Sequence, residues 1–305
     1  MDEIQKMLLE KVADLHEIPT GAYNIRANGK STARATTANI DIVTKTDRSG
    51  IDIIIKDDTK KQSVHIPVVL SQSGLTEMVY NDFYIGENCD VTIIAGCGIH
   101  NSGDDTSRHD GIHTFHIKQN SRVRYVEKHY GSGDGKGQRI MNPQTVAHLE
   151  PNSFLEMETV QIKGVDSTVR STTATLADHA TLLVTEKLMT HGDQTAKTSF
   201  CVSLDGYHSS ANVVSRSVAR DHSVQCFLAQ IDGNNLCSGH SECDAIIMDE
   251  AKISAIPQIS ANHPDASLIH EAAIGKIAGE QLIKLMTLGL TEKEAEEQII
   301  NGFLK

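Results

Sequence analysis

The spacing of apolar positions changes character twice along the chain. Over residues 3–16, Ile4, Met7, Leu8, Val12 and Leu15 recur three or four positions apart, which predicts a helix that Pro19 and Gly21 stop. From about 22 to 70 the pattern becomes short alternating runs, such as Ile40-Asp41-Ile42-Val43 and Ile51-Asp52-Ile53-Ile54-Ile55. Polar turns separate them, notably Asp47-Arg48-Ser49-Gly50 and Asp57-Asp58-Thr59-Lys60, and antiparallel hairpins are expected. Further on, a turn followed by a short β-like run recurs almost periodically. Ser153, Ser167, Ala180, Thr195, Ser210, Ser223, Cys237, Ala251 and Ala266 mark successive turns, 13 to 15 residues apart. Within one run, Val224, Cys226 and Leu228 share one face, and Ser223, Gln225 and Phe227 the other. A unit of about 14 residues has no room for a crossover helix. An antiparallel sandwich and a solenoid with two units per coil remain. Regularity over so long a stretch, without Greek-key connections, favours the solenoid, and a β-helix is expected over about residues 80–271.

The last thirty residues return to helical spacing. Ile277, Leu282, Ile283 and Met286 form one face, and Gly289 follows as a stop. Thr291 and Glu294 then make a capping box that opens a second helix with Ala295, Ile299, Ile300 and Phe303 as its apolar stripe. The pattern alone is evenly divided between two jobs for this pair, capping the coil stack or docking a partner. The expected organisation is thus mainly β, with an N-terminal helix and hairpin segment (1–79), a β-helix core (80–271) and a C-terminal helical region (272–305).

Composition narrows the function classes. The 305-residue chain has no Trp, 6 Phe and 6 Tyr, so its core must be built from aliphatic residues and Thr, which suit stacked sheets. A net charge of −12 argues against nucleic acid or an anionic membrane as partner. No apolar run approaches 18 residues, and the acidic start, Met1-Asp2-Glu3, does not resemble a signal peptide. Six cysteines without short-domain spacing read as free thiols, so a cytoplasmic setting is expected. A polysaccharide-acting β-helix is disfavoured because its groove would need aromatic platforms.

Several residues could carry chemistry. The segment 131–138, GSGDGKGQ, superficially suggests a phosphate loop, but Tyr130 stands where the first Gly is needed and Gly137 where Ser or Thr is needed. A flexible loop between coils is the expected reading. His109, His113 and His116 could offer imidazoles to a metal, yet on a strand only even spacings share a side. Cys201 and Cys226 lie in apolar alternating runs and are expected as small core fillers. Cys97 stands between Gly96 and Gly98, where another backbone can approach closely. Cys237-x2-His240-x2-Cys243 is the densest group of soft ligands, favouring zinc, copper(I) or iron–sulfur chemistry. Leu268-Ile269-His270-Glu271 follows about one coil later, so a thiol, an imidazole and a carboxylate are expected to converge near the C-terminal end of the solenoid.

These C-terminal residues also carry a likeness. His240-Ser241-Glu242-Cys243-Asp244-Ala245-Ile246-Ile247-Met248, Pro257, His270-Glu271-Ala272, Gln281-Leu282, Gly289-Leu290-Thr291, Ala295 and Asn301-Gly302-Phe303 stand in an order and spacing that resembles the SufB/SufD family. That family supplies the core subunits of the SUF iron–sulfur cluster assembly machinery. A weaker likeness runs through Gly96-Cys97 and His116–Val123, so the match covers about residues 80–304.

The resemblance implies a right-handed parallel β-helix with a C-terminal helical region. It implies a scaffold subunit, not itself an enzyme, that carries a transient iron–sulfur cluster of unspecified type. Its helices, with Leu282, Met286, Ile299 and Phe303, would dock a SufC-like ABC ATPase, through which alone ATP enters. ATP-driven movement of that partner would expose Cys243 to iron and sulfide. By similarity, Cys243 matches the cysteine on which a nascent cluster is built, Glu271 an implicated carboxylate, and His270 a histidine from the SufD side. Cys237, His240 and Cys97 are further possible ligands. Because Cys243, His270 and Glu271 occur together, the resemblance implies a homodimer through the β-helix in which each chain serves as both subunits. A sulfur donor and apo-protein acceptors would be its other partners. His148 stands where larger relatives carry a second cysteine, which leaves Cys97, Cys201, Cys226 or direct sulfide for sulfur delivery. The alternative is a structural, SufD-like subunit that binds the ATPase without holding the cluster.

Overall fold

A computed structural model describes residues 1–305. It is a parallel β-solenoid of about eight turns with one N-terminal and two C-terminal helices. Two ten-stranded sheets face each other, and from Gln144–Leu149 onward successive strands alternate between them. In the first sheet, Phe154–Lys163, Thr181–Thr190, Ser210–Ala219, Ser238–Ile247 and Ser267–Gly275 stack in parallel, each 27 to 29 residues after the last. In the second, Ser167–Leu176, Thr195–Leu204, Val224–Gly233 and Lys252–Ala261 do the same. The periodic 14-residue unit is therefore half a coil.

Alternation builds the core. In Thr195–Leu204 the inward residues Ala196, Thr198, Phe200, Val202 and Leu204 are buried, and their equivalents on neighbouring coils stack above and below. Phe83 and Phe115 stack at 4.4 Å between ring centres, with Tyr125 edge-on to Phe115 at 5.0 Å. Left-handed turn residues recur once per coil along one edge, at Asn88, Asn120, Asn152, His179 and His208. Asn is among the few non-glycine residues that tolerate this conformation, and Asn120 also bonds to Asn88 at 3.3 Å.

The N-terminal region has the expected hairpins and joins each of them to the parallel stack. Ala22–Ala27 with Lys30–Ala35, and Ile40–Thr44 with Gly50–Ile55, are antiparallel as expected. However, Ala22–Ala27 also pairs in parallel with Lys60–Leu70, and Gly50–Ile55 with Thr76–Ile85. The parallel stack thus begins near residue 22, and residue 80 falls inside a strand. Lys30–Ala35 and Ile40–Thr44 are the terminal strands of the two sheets. Each hairpin closes one sheet at this end. Helix α1 (Glu3–Ala13) covers the outer face of the first sheet. A Cβ on Gly96 would lie 2.3 Å from the Val12 carbonyl oxygen, so the glycine is what lets the helix approach.

The other end is unlike this one. Helices α2 (Gly279–Thr287) and α3 (Glu292–Phe303) follow the last strand, with the Thr291–Glu294 capping box in place. Ile300 and Leu304 pack on Val218, beside Met189, Ile246, Met248, Ile277 and Phe303. That contact lies where strands of the first sheet end. The final coil is left uncovered, with Ile256, Ile259, Ile269 and Ile274 each 39–52% exposed.

Candidate functional site

The C-terminal site is built on two register-matched strands. Cys243 points inward and is 1% exposed, stacked between Ser215 and Ala272 of the neighbouring coils. Burial, with the negative charges of Glu186 and Asp244, pushes its thiol up to about 12. His270 is the register partner of Ser241 and so takes the same inward-facing parity as Cys243. Its Nδ1 lies 2.7 Å from Ser241 Oγ, and burial holds its pKa below the usual imidazole range.

Glu271 does not join them. It pairs with Glu242 on the outer face, beside His240, whose Nε2 is 3.5 Å from its carboxylate. The expected convergence is split by the sheet itself: adjacent residues on a strand face opposite ways, and so do residues three apart. Cys237 is buried in the hydrophobic core, six residues or about 20 Å along the strand direction from Cys243. Cys97 lies five strands away, at about 4.8 Å per strand some 24 Å. Neither can share an ion with Cys243 in one chain. Glu242 is the member that sequence reasoning missed, although its two-residue spacing from His240 places it on the same face.

A buried polar column runs inward from this site. Glu127, Thr159, Glu186, Ser215 and Cys243 occupy one register position on successive coils. Glu186 accepts from Ser215 at 2.7 Å and Thr198 at 3.2 Å, and burial raises its pKa despite Arg170. Burial would raise Glu127 too, but Arg170, which forms an ion pair with it, and His129 hold it well below the usual carboxylate range.

Cys97 lies at the far end. Burial would raise its thiol, yet His109 and His129 outweigh burial and bring it down to about 7. His109 is correspondingly raised to about 10 by Cys97 and Glu77 against its own burial. His109 Nδ1 lies 3.7 Å from Glu77, its register partner. His113, also inward, is lowered to about 4 chiefly by burial, and its Nδ1 is 2.7 Å from the Tyr125 hydroxyl. His116 faces outward, between Tyr84 and His148, so the three histidines separate as their spacing requires.

The model of the SUF system FeS cluster assembly family, SufBD core domain, matches residues 69–303. The chain belongs to the SufBD family. It is similar to an iron–sulfur cluster assembly SufBD family protein of Methanothermobacter thermautotrophicus, 28% identical over 240 residues, covering 77% of this chain and 57% of that one. A namesake from Archaeoglobus fulgidus is 27% identical over 230 residues, 75% of this chain and 61% of its own length. One from Pyrococcus horikoshii is 28% identical over 257 residues, 83% of this chain and 77% of that one. The chain thus spans about three fifths of the first two relatives.

The SufBD core match includes all four buried thiols, Cys89, Cys97, Cys237 and Cys243, and both C-terminal helices. On α2, Ile283 and Met286 are exposed, as is Leu288 just after it, and Leu282 is half-buried. On α3, Ile299 is half-buried, whereas Phe303 is turned into the contact with the solenoid and is less available for docking than expected. Cys201 and Cys226 are not core fillers: Phe200 and Phe227 take the inward positions beside them, and the thiols sit half-buried on the outer face. His148 is exposed on the outer face and bonds to Thr175 at 2.9 Å. The 131–138 loop is not loose. Gly135 and Gly137 donate to the carbonyls of Asn101 and Gly103, and a Cβ on Gly137 would meet the Asp105 oxygen at 2.1 Å. Its glycines serve loop stacking. No helix is long and apolar enough to cross a membrane.

Proposed function

We propose that this SufBD chain is a scaffold subunit on which nascent iron–sulfur clusters are built, with Cys243 as the anchoring thiolate. The observation that carries this reading is the position of Cys243: buried on the inward face, one strand from the uncovered end of the solenoid, with His270 on the same parity. A thiol raised to about 12 stays protonated at neutral pH and binds no iron while the last strand covers it. Separation of the last strand admits water, lowers the thiol pKa and frees a thiolate, so assembly is gated by opening. An ABC-type ATPase docked on the exposed apolar face of α2 supplies that movement. Iron and sulfide are cargo, and the ATP chemistry is the partner's.

The uncovered end takes a second copy of this chain. Ser267–Gly275 and Lys252–Ala261 are edge strands, each paired on one side only and carrying exposed isoleucines, which native proteins do not leave open. Pairing two such ends about a two-fold axis buries both sets and brings two Cys243 thiols and two His270 imidazoles to one seam.

The test is iron and acid-labile sulfide per chain after anaerobic reconstitution with the ATPase. The native complex is expected to hold both in comparable amounts and Cys243→Ser to lose them. Equal retention in both overturns the reading and favours the structural, SufD-like subunit, for which Cys243 is a core residue.

A further inference from the structure

We propose that His240, Glu242 and Glu271 form a binding site for one divalent transition-metal ion of the Fe2+ class, on the outer face of the last two coils and separate from the Cys243 thiol. Their ligand atoms lie within 4.8 Å of one another. Glu242 and Glu271 are register partners on adjacent strands, and His240, two residues before Glu242, shares their face. Two carboxylates directly opposite each other on neighbouring strands repel unless something positive lies between them. Arg216, the register partner of Asp244, brings its charge to bear on Glu242 on one side, whereas the cationic group facing Glu271 is His240.

The histidine is set up as a ligand. Its Nδ1 lies 2.9 Å from Asn212 Oδ1, the residue stacked on it from the preceding coil. An amide oxygen accepts, so Nδ1 carries the proton and Nε2 presents a lone pair. That lone pair faces the Glu271 carboxylate oxygen at 3.5 Å. With the imidazole neutral, two acceptors face each other there, and a cation satisfies both. A ligating imidazole whose other nitrogen donates to a fixed oxygen is the usual arrangement around bound metals.

One imidazole and two carboxylates suit Fe2+, Mn2+ or Zn2+, and three protein ligands on an exposed face leave coordination positions for water. Such a site holds its ion loosely. Glu242 and Cys243 are consecutive residues on opposite faces of one strand, so the ion sits across a single sheet from the thiol. Its role as an iron-loading position rests on the scaffold reading; its ability to bind a metal does not.

The test uses the full-length protein in the Cys243→Ser background, with Mn2+ as a paramagnetic probe in anaerobic equilibrium titrations. One Mn2+ per chain is expected, with Fe2+ competing for it. Glu242→Gln and His240→Gln are each expected to weaken binding at least ~10-fold, and Asn212→Ala, which removes only the orienting bond, by about 10-fold. All three side chains reach the surface, and thermal melts of the variants check that folding is intact. Unchanged Mn2+ affinity in both ligand variants, or no binding in the parent, overturns the proposal. Loss of cluster assembly in Cys243→Ser with Mn2+ binding retained separates this site from the scaffold thiol.

Discussion

Cys97 and Cys243 are both buried on the inward face of the same sheet, five strands apart, yet one thiol is brought down to about 7 and the other pushed up to about 12. Burial acts in the same direction on both. What differs is the company: two imidazoles beside Cys97, and the carboxylates of Glu186 and Asp244 around Cys243. The ends they occupy differ as well. Hairpins close the solenoid near Cys97, whereas the coil beyond Cys243 has bare edges. Acidity inside this fold is therefore set coil by coil, and the reactive state of a thiol follows from which neighbours the register stacks on it. A sealed thiol among imidazoles ionises in place, and a thiol among carboxylates ionises only when the last strand moves off it.

The largest effect that would break this comparison is expected at Arg170. Arg170→Met leaves Glu127 buried without its partner and should lower stability by about 3–5 kcal/mol in urea unfolding. Much of that loss should return in the double variant with Glu127→Gln. A smaller loss would mean that the N-terminal interior is wetter than its burial indicates. Next comes ionisation. At pH 8 the native protein should show the ultraviolet absorbance of a thiolate that disappears in Cys97→Ser and persists in Cys243→Ser. The signs can be followed in stability. A thiol lowered to about 7 favours the fold as pH rises toward 9, while an imidazole raised to about 10 disfavours it above 6.5, so the Cys97–His109 pair adds no net slope between about 7 and 9. Cys243, with its raised pKa, should destabilise the fold only as pH climbs above about 9, and Cys243→Ser should remove that part of the slope. The smallest effect sharpens the contrast at the open end. Thr291→Ala removes the α3 cap and should cost about 1 kcal/mol of local stability, read by hydrogen exchange in α3, while leaving the Cys97 thiolate signal unchanged.

The coil architecture was legible because each half-coil repeats turn, alternation and turn, and a 14-residue unit excludes crossover helices. The direction of pairing in the first 70 residues was not, since an alternating run looks the same beside a parallel or an antiparallel neighbour. Burial face was ambiguous for a related reason. Outer faces here are partly apolar too, so the run holding Val224, Cys226 and Leu228 read as core although Gln225, Phe227 and Ala229 point inward. The ligand set near Cys243 was found by composition but placed on one side, when the odd spacings already required two. Glu77, His109, Cys97 and His129 come together from four strands spread over more than fifty residues, and no local pattern signals that meeting.

A stack with one strand spacing per coil is also a ruler. The separation of Cys97 and Cys243 across the sheet is a whole number of increments of about 4.8 Å, and chain length sets the count. Thr181 and Ser210 hold the same register on successive coils. Excising residues 181–209 would join Ala180 to Ser210, shorten the gauge by one division and leave both terminal assemblies intact. Evolution can thus adjust the span between the closed end and the open one by inserting or removing whole coils, without redesigning either.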